Sequence, residues 1–249
     1  MKKNRIISLQ INEMSYEQAV EAITERAETG TPSYACFSNV HMTIEAHQSS
    51  QFADYVNKAD FAFADGMPLV FAYRFLHGIR QERIAGMDFM PSILEACQKK
   101  NLSVLLFGST DDVLEKIKDR IQKDYQGIVF AGAISPPFGT LSGPENEAFV
   151  KKINEAKPNI VLVALGCPKQ ETWMAQNSHK INAVLLGVGG AFPVFANMQK
   201  RSPKWMQKLA LEWVYRLWQE PGRLWKRYFT TNTLFVFLLI KEKLRKVFS

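Results

Sequence analysis

Six short apolar runs constrain this chain most: Tyr34–Ser38, Phe61–Ala64, Leu102–Phe107, Ile128–Ala131, Ile160–Leu165 and Ala183–Val188. They are largely apolar from end to end, as a strand buried on both faces must be, and several end in Gly or Asp, as buried parallel strands do where they turn into a helix. Helical patterns lie between them. Tyr16–Glu28 follows Ser15 as N-cap and carries Ala19, Val20, Ile23 and Ala27 on one face. Asp88–Lys100 and Asp111–Lys123 are amphipathic, and Pro144–Ala156 follows a Ser-Gly turn. Strand–helix–strand spacing repeated in this way predicts an α/β fold, a parallel sheet with helices on both faces.

Charge divides the chain in two. Residues 198–249 hold 12 Lys/Arg against 3 Asp/Glu, whereas residues 1–197 hold 19 against 21. Four of the five tryptophans (Trp205, Trp213, Trp218 and Trp225) lie in the basic part. The expected organisation is therefore an α/β catalytic domain over 1–197 and a helical, basic, Trp-rich appendage over 198–249. In the appendage, a helix capped by Ser202 with Pro203 at its first position should run to the break at Glu220-Pro221-Gly222, and a second should span Arg223 to Val247. The apolar run Leu234–Ile240 is far shorter than the roughly 20 residues needed to cross a bilayer, so it suits an interfacial element. Such a tail points to an anionic surface, membrane or nucleic acid, and its tryptophans and apolar run favour membrane. The basic N-terminus has no apolar run after it, so no signal peptide is expected. Three scattered cysteines (Cys36, Cys97, Cys167) exclude a disulfide framework and suit a reducing cytoplasm.

In folds of this class ligands bind beyond the C-terminal ends of the strands. Asp65 ends a buried strand before Gly66; apolar walls there would raise its pKa into the range of a general base, and its structural alternative is a turn or N-cap before Pro68. Gly187-Val-Gly189-Gly190 would let backbone N–H groups approach a diphosphate, or is a plain turn. Gly108-Ser109 before an acidic helix would hold a phosphate or a sugar hydroxyl, or is an ordinary N-cap. Gln170 and Glu171 would hydrogen-bond a sugar or uracil, or form a solvated first turn with Glu favoured by the helix dipole. No GxGxxG and no GxxxxGK[ST] occurs, which weighs against a dinucleotide oxidoreductase and a P-loop NTPase. His41, His47, His77 and His179 lack metal-ligand spacing. Arg201, Arg216, Arg223 and Arg227 form a basic face suited to phosphate.

Several stretches, in order, resemble one family: Asn39-Val-His-Met, Ala59-Asp-Phe-Ala-Phe-Ala-Asp65-Gly-Met-Pro, Arg83-Ile-Ala-Gly-Met-Asp88, Gly166-Cys-Pro-Lys-Gln-Glu171-Trp, Gly187-Val-Gly-Gly-Ala-Phe, Arg201-Ser-Pro-Lys-Trp205, Leu211-Glu-Trp-Val-Tyr-Arg216-Leu and Glu220-Pro-Gly-Arg223-Leu-Trp-Lys-Arg227-Tyr. The chain is similar over nearly its whole length to the WecG/TagA/CpsF glycosyltransferases, glycosyltransferase family 26. The resemblance implies a Rossmann-like α/β domain with a helical appendage that docks on the membrane and completes the site. It implies inverting, metal-independent transfer, with no cofactor, from a UDP-sugar to a polyprenyl-diphosphate-linked saccharide, at the cytoplasmic face of the membrane, in cell-surface polysaccharide synthesis. Asp65 matches the family's proposed base, Asn39 and Arg83 match polar residues of the donor or acceptor pocket, and Gln170 matches a residue near the active site. Arg201, Arg216, Arg223 and Arg227 match arginines that meet the lipid diphosphate or the leaving UDP. Nucleic acid is not an expected partner, and homo-oligomerisation, donor sugar and exact acceptor stay open. One departure stands out: many members carry Thr-Pro-Asn where this chain has Phe37-Ser38-Asn39. Ser38 would supply a hydroxyl, but strand alternation points it to the opposite face.

Overall fold

The computed structural model describes residues 1–139, 141–209, 211–219 and 221–247, with all side chains among these except those of Lys204, Lys208, Arg216, Arg223, Leu224, Lys226, Arg227 and Val247. The chain opens with a hairpin, β1 (Lys3–Ile6) and β2 (Leu9–Asn12), paired antiparallel. Six strands follow: β3 (Ser33–Ser38), β4 (Phe61–Ala64), β5 (Ser103–Gly108), β6 (Val129–Ile134), β7 (Ile160–Ala164) and β8 (Val184–Gly187). They form one parallel sheet in the order β4-β3-β8-β7-β5-β6. Each of the six apolar runs is a strand of this Rossmann-like α/β sheet.

The hairpin is absent from the sequence expectation, and it has a role. An edge strand presents unpaired N–H groups; here Asn12 Oδ1 accepts from the Ala62 N–H of edge strand β4 at 2.7 Å, and Lys3 Nζ donates to the Ala59 carbonyl. Strand alternation sorts the side chains into two layers. Phe37, Phe63, Leu106 and Leu162 meet α1 (Tyr16–Glu28), α5 (Gly86–Lys100) and α6 (Asp111–Asp124) on one face. Tyr34, Cys36, Phe107 and Val163 join the other core, with α2 (Val40–Gln48), α3 (Ser50–Asn57), α4 (Met67–His77), α7 (Gly143–Ala156) and α8 (Lys169–Asn177). Ser15 is the N-cap expected, and it forms a capping box: its hydroxyl accepts from Gln18 N–H, and Gln18 Oε1 accepts from Ser15 N–H.

After the short α9 (Ala191–Phe195), three helices close the chain: α10 (Lys204–Lys208), α11 (Glu212–Gln219) and α12 (Pro221–Val247). The single helix expected before residue 220 is thus two. Ser202 does not cap it: its hydroxyl donates to Glu212 Oε1 and its carbonyl accepts from Gln207. The ~40 Å helix α12 packs along α2 and α4. It buries Thr231, Phe235 and Leu238, and the last two belong to the core beneath the sheet. Near its end Glu242 Oε2 accepts from Ile7 N–H in the hairpin turn at 2.7 Å. Among the described residues no helix is long and apolar enough to cross a membrane.

Candidate active site

Asp65 and Asn39 leave neighbouring parallel strands at the same height, because Ser38 pairs with Ala64 in register. The Asp65 N–H donates to the Ser38 carbonyl at 2.8 Å, which ties the two strand ends together. Asn39 is the N-cap of α2, its side-chain oxygen accepting from Met42 N–H at 3.1 Å. Gly66 holds the N-cap position of α4, with Pro68 in the first turn, so Asp65 directly precedes that helix. Both residues open onto a cleft of about 390 Å³. Its floor is Asn39, His41, Asp65 and Met87; its roof is α12, with Tyr228, Thr231, Asn232, Phe235 and Val236; Arg201 and Trp213 stand at its side.

Arg201 is fixed by a two-pronged pair with Asp88, Nη1 to Oδ1 at 2.6 Å and Nη2 to Oδ2 at 2.8 Å. The same carboxylate takes Arg83 Nη2 at 2.8 Å, and Arg83 Nη1 pairs with Glu212. Two guanidiniums and two carboxylates therefore join the α/β layers to the C-terminal helices. The Asp88 hydrogen bonds hold the Arg201 guanidinium above its usual pKa, with the Glu212 and Asp65 charges adding to the effect. Arg201 Nε is buried with no hydrogen-bond partner among the described residues, 4.0 Å from Glu212 Oε1. Arg83, expected among the pocket's polar residues, sits in this network and not on the cleft wall.

The glycine loop after β8 has a different role from the one its sequence suggests. A Cβ on Gly187 would lie 2.6 Å from Gln170 Nε2 and 2.7 Å from Met174 Cε; one on Gly189 would lie 2.9 Å from Gln170 Oε1. Glycine is thus required there by the buried Gln170 side chain. The loop's N–H groups are also engaged: Val188 donates to Leu186, Gly189 to Val163 and Ala191 to Val188. Gly187 and Gly189 thus serve the packing of Gln170, and Gly190 is exposed at the loop's tip. Nor is the start of α8 a solvated first turn, since Gln170 and Glu171 are both buried. Gln170 Nε2 donates to Glu171 Oε1 at 2.9 Å. Burial pushes the Glu171 carboxyl up, against the hydrogen bonds of its own backbone, Gln170 and Cys167.

The raised folded-state pKa means the native state holds its proton over a range where the unfolded chain has released it. Stability is then lost as pH rises through the unfolded-state value and up to the folded one. Glu171→Gln removes this loss while keeping the oxygen that accepts from Gln170. Its Tm relative to the wild type should rise between pH 5 and pH 8 in paired thermal scans; a flat or falling difference would refute the neutral buried acid.

Gly108 ends β5 and Ser109 follows it, both outside the cleft. Gly108 packs on the Ala164 backbone at a φ of 111°, a conformation that suits glycine. Ser109 N–H donates to the Ala164 carbonyl, and the Ser109 carbonyl accepts from Ser135. Of the site residues expected from sequence, Asn39, Asp65 and Arg201 meet at the cleft, with Arg83 behind Arg201 in the Asp88 network; Gln170, Glu171, Gly187 and Gly189 pack together at the β8 loop, with Gly190 exposed at its tip; Gly108 and Ser109 lie at the end of β5. The side chains of Arg216, Arg223 and Arg227 lie outside the described residues. Phe37 points away from the cleft into an aromatic cluster with Phe63 and Phe89, at 5.3 and 5.2 Å. Ser38 Oγ is buried on the other face, with no hydrogen-bond partner among the described residues. Sequence reasoning missed Tyr228, Thr231 and Asn232. Their signal was helical: positions 228, 231, 232, 235, 236 and 239 all line the cleft and share one face of a 3.6-residue period.

The family model described as "Glycosyl transferase WecG/TagA/CpsF family" matches residues 4–248. An N-acetylglucosaminyldiphosphoundecaprenol N-acetyl-beta-D-mannosaminyltransferase of Bacillus subtilis (strain 168) is 33% identical over 211 residues, 84% of this chain and 80% of that protein. A protein of the same name from Staphylococcus aureus (strain NCTC 8325) is 33% identical over 208 residues, 81% of this chain and 76% of its own length. That of Bacillus spizizenii is 32% identical over 191 residues, 76% of this chain and 72% of that protein.

Proposed function

We propose, since this chain belongs to the WecG/TagA/CpsF glycosyltransferase family, that it transfers a sugar from a UDP-sugar to a polyprenyl-diphosphate-linked saccharide in cell-surface polysaccharide synthesis. The observation that carries this reading is the cleft, where a carboxylate at a strand end faces a fixed guanidinium beneath a helix whose outer side is apolar. Asp65 takes the proton of the acceptor hydroxyl as its oxygen attacks the anomeric carbon. The bond from that carbon to the UDP oxygen breaks, and UDP leaves with the electron pair. Attack opposite the leaving group inverts the anomeric centre. Arg201 lies where a cation stabilises developing phosphate charge, and its pair with Asp88 uses only two of the guanidinium's five N–H donors. Arg216, Arg223 and Arg227 are further candidates for diphosphate contact. The names of the relatives make an N-acetylglucosaminyl-diphospho-undecaprenol acceptor and an N-acetylmannosaminyl donor the first pair to try.

Exposed Trp205, Trp218, Trp225 and Phe229, interleaved with the basic residues of the tail, support peripheral attachment of segment 198–249 to the cytoplasmic face of an anionic membrane. The test is a screen of UDP-sugars with that lipid acceptor, scored by UDP release and by product mass. Release that requires both substrates is expected. No transfer with any donor, or UDP release that ignores the acceptor, would refute the reading.

A further inference from the structure

We propose that the groove between α4 and α12 seats the hydrocarbon chain of the lipid-linked acceptor, so that a helix of the α/β domain, and not the C-terminal segment alone, holds the lipid. The inference rests on the acceptor chemistry proposed above. Large apolar side chains stand half in solvent on both helices: Phe71 (55%) and Phe75 (45%) on α4, Val236 (53%) and Ile240 (50%) on α12. Large apolar side chains exposed on two helices that pack together mark a binding face.

The two rows lie side by side. Phe71 and Val236 both line the cleft. About one turn further along α4 and two turns further along α12, Lys243 Nζ sits 5.3 Å from the centre of the Phe75 ring. At the far end Lys246 Nζ lies 3.4 Å from His77 Nδ1. Residue numbers rise together, so α4 and α12 run in the same direction from the cleft outward. From Val236 to Leu244 the track measures about 12 Å at 1.5 Å per residue.

Continuity selects the occupant. The track begins inside the cleft, at residues that also wall the space in front of Asp65 and Arg201. Whatever covers it must be joined to what the cleft holds. A lipid diphosphate has that form: a charged head for Arg201 and an apolar tail leaving along Phe71, Phe75 and Ile240. A bilayer surface or a second protein copy would cover the outer rows without entering the cleft.

The experiment compares kcat/KM for an undecaprenyl-diphosphate acceptor with that for a geranyl-diphosphate acceptor bearing the same sugar, in the same detergent. The wild type should prefer the long chain. Phe75→Ser/Ile240→Ser should reduce that preference by about tenfold, from lost apolar contact, while Phe75→Leu/Ile240→Leu keeps it. Both sites are half-exposed, and a Tm near that of the wild type verifies the fold. A chain-length ratio within about twofold of wild type would overturn the proposal, as would a variant that lost only its sedimentation with anionic vesicles, which assigns the face to the bilayer. A wild-type enzyme that transfers to neither acceptor would refute the functional reading itself, and the groove's occupant with it.

Discussion

Asp65→Asn is expected to lower kcat by about 100-fold or more, with a change in Tm of at most about 2 °C. The position makes the experiment clean. Asp65 is held by its own backbone, through the N–H bond to Ser38 and the turn into α4 at Gly66, and the amide is nearly isosteric with the carboxylate. Asn therefore keeps the cleft's shape while removing the ability to take a proton, together with the charge that acts on Arg201. If the carboxylate acts as base, the loss falls on kcat, and the KM for the donor stays close to the wild-type value. A raised KM with normal kcat would instead make Asp65 a binding group. Turnover near the wild-type rate would remove it from the base role altogether.

What the sequence disclosed follows from where the determining physics lies. The sheet was legible because its strands are buried on both faces and so lack the alternation of a half-exposed strand. The positions of Asn39 and Asp65 beyond the ends of β3 and β4 were legible because the strands were, although the N-cap role of Asn39 shows that a polar residue there also serves the fold. The β1–β2 hairpin was not, because its turn carries Ile7 at a φ of 57°, where the usual signal would be Gly or Asn. The glycines after β8 were visible, but their cause was not. The clash that demands them involves Gln170, from another element, and glycine for backbone access to a ligand looks the same in one dimension. Likewise Arg83 and Arg201 read as free cations until Asp88 and Glu212 are found beside them. The run Leu234–Ile240 suggested one apolar surface; the structure splits it by helical phase into a buried row, a cleft row and an outer row.

That splitting carries the second large expectation. Phe235→Ala/Leu238→Ala should destabilise the whole protein by about 5 kcal/mol or more. At this chain length that is a fall in Tm on the order of 10–20 °C. Both side chains are buried and belong to the core that also contains Tyr34, Phe107 and Trp173, and removing them leaves a cavity against α2 that packed helices close only in part. Val236→Ala, on the exposed row of the same helix, should move Tm by no more than about 2 °C. The contrast separates two views of α12. A helix that merely hangs from the α/β domain and finds its partner at a membrane would let the double variant melt within about 3 °C of the wild type. A helix that forms a wall of the fold as well as the roof of the cleft cannot. In that case a chain cut at residue 199 loses part of its core along with its lipid-facing surface. Its loss of activity then reports on docking only if its Tm is measured beside it, and substitutions on the outer row become the proper probe of the membrane.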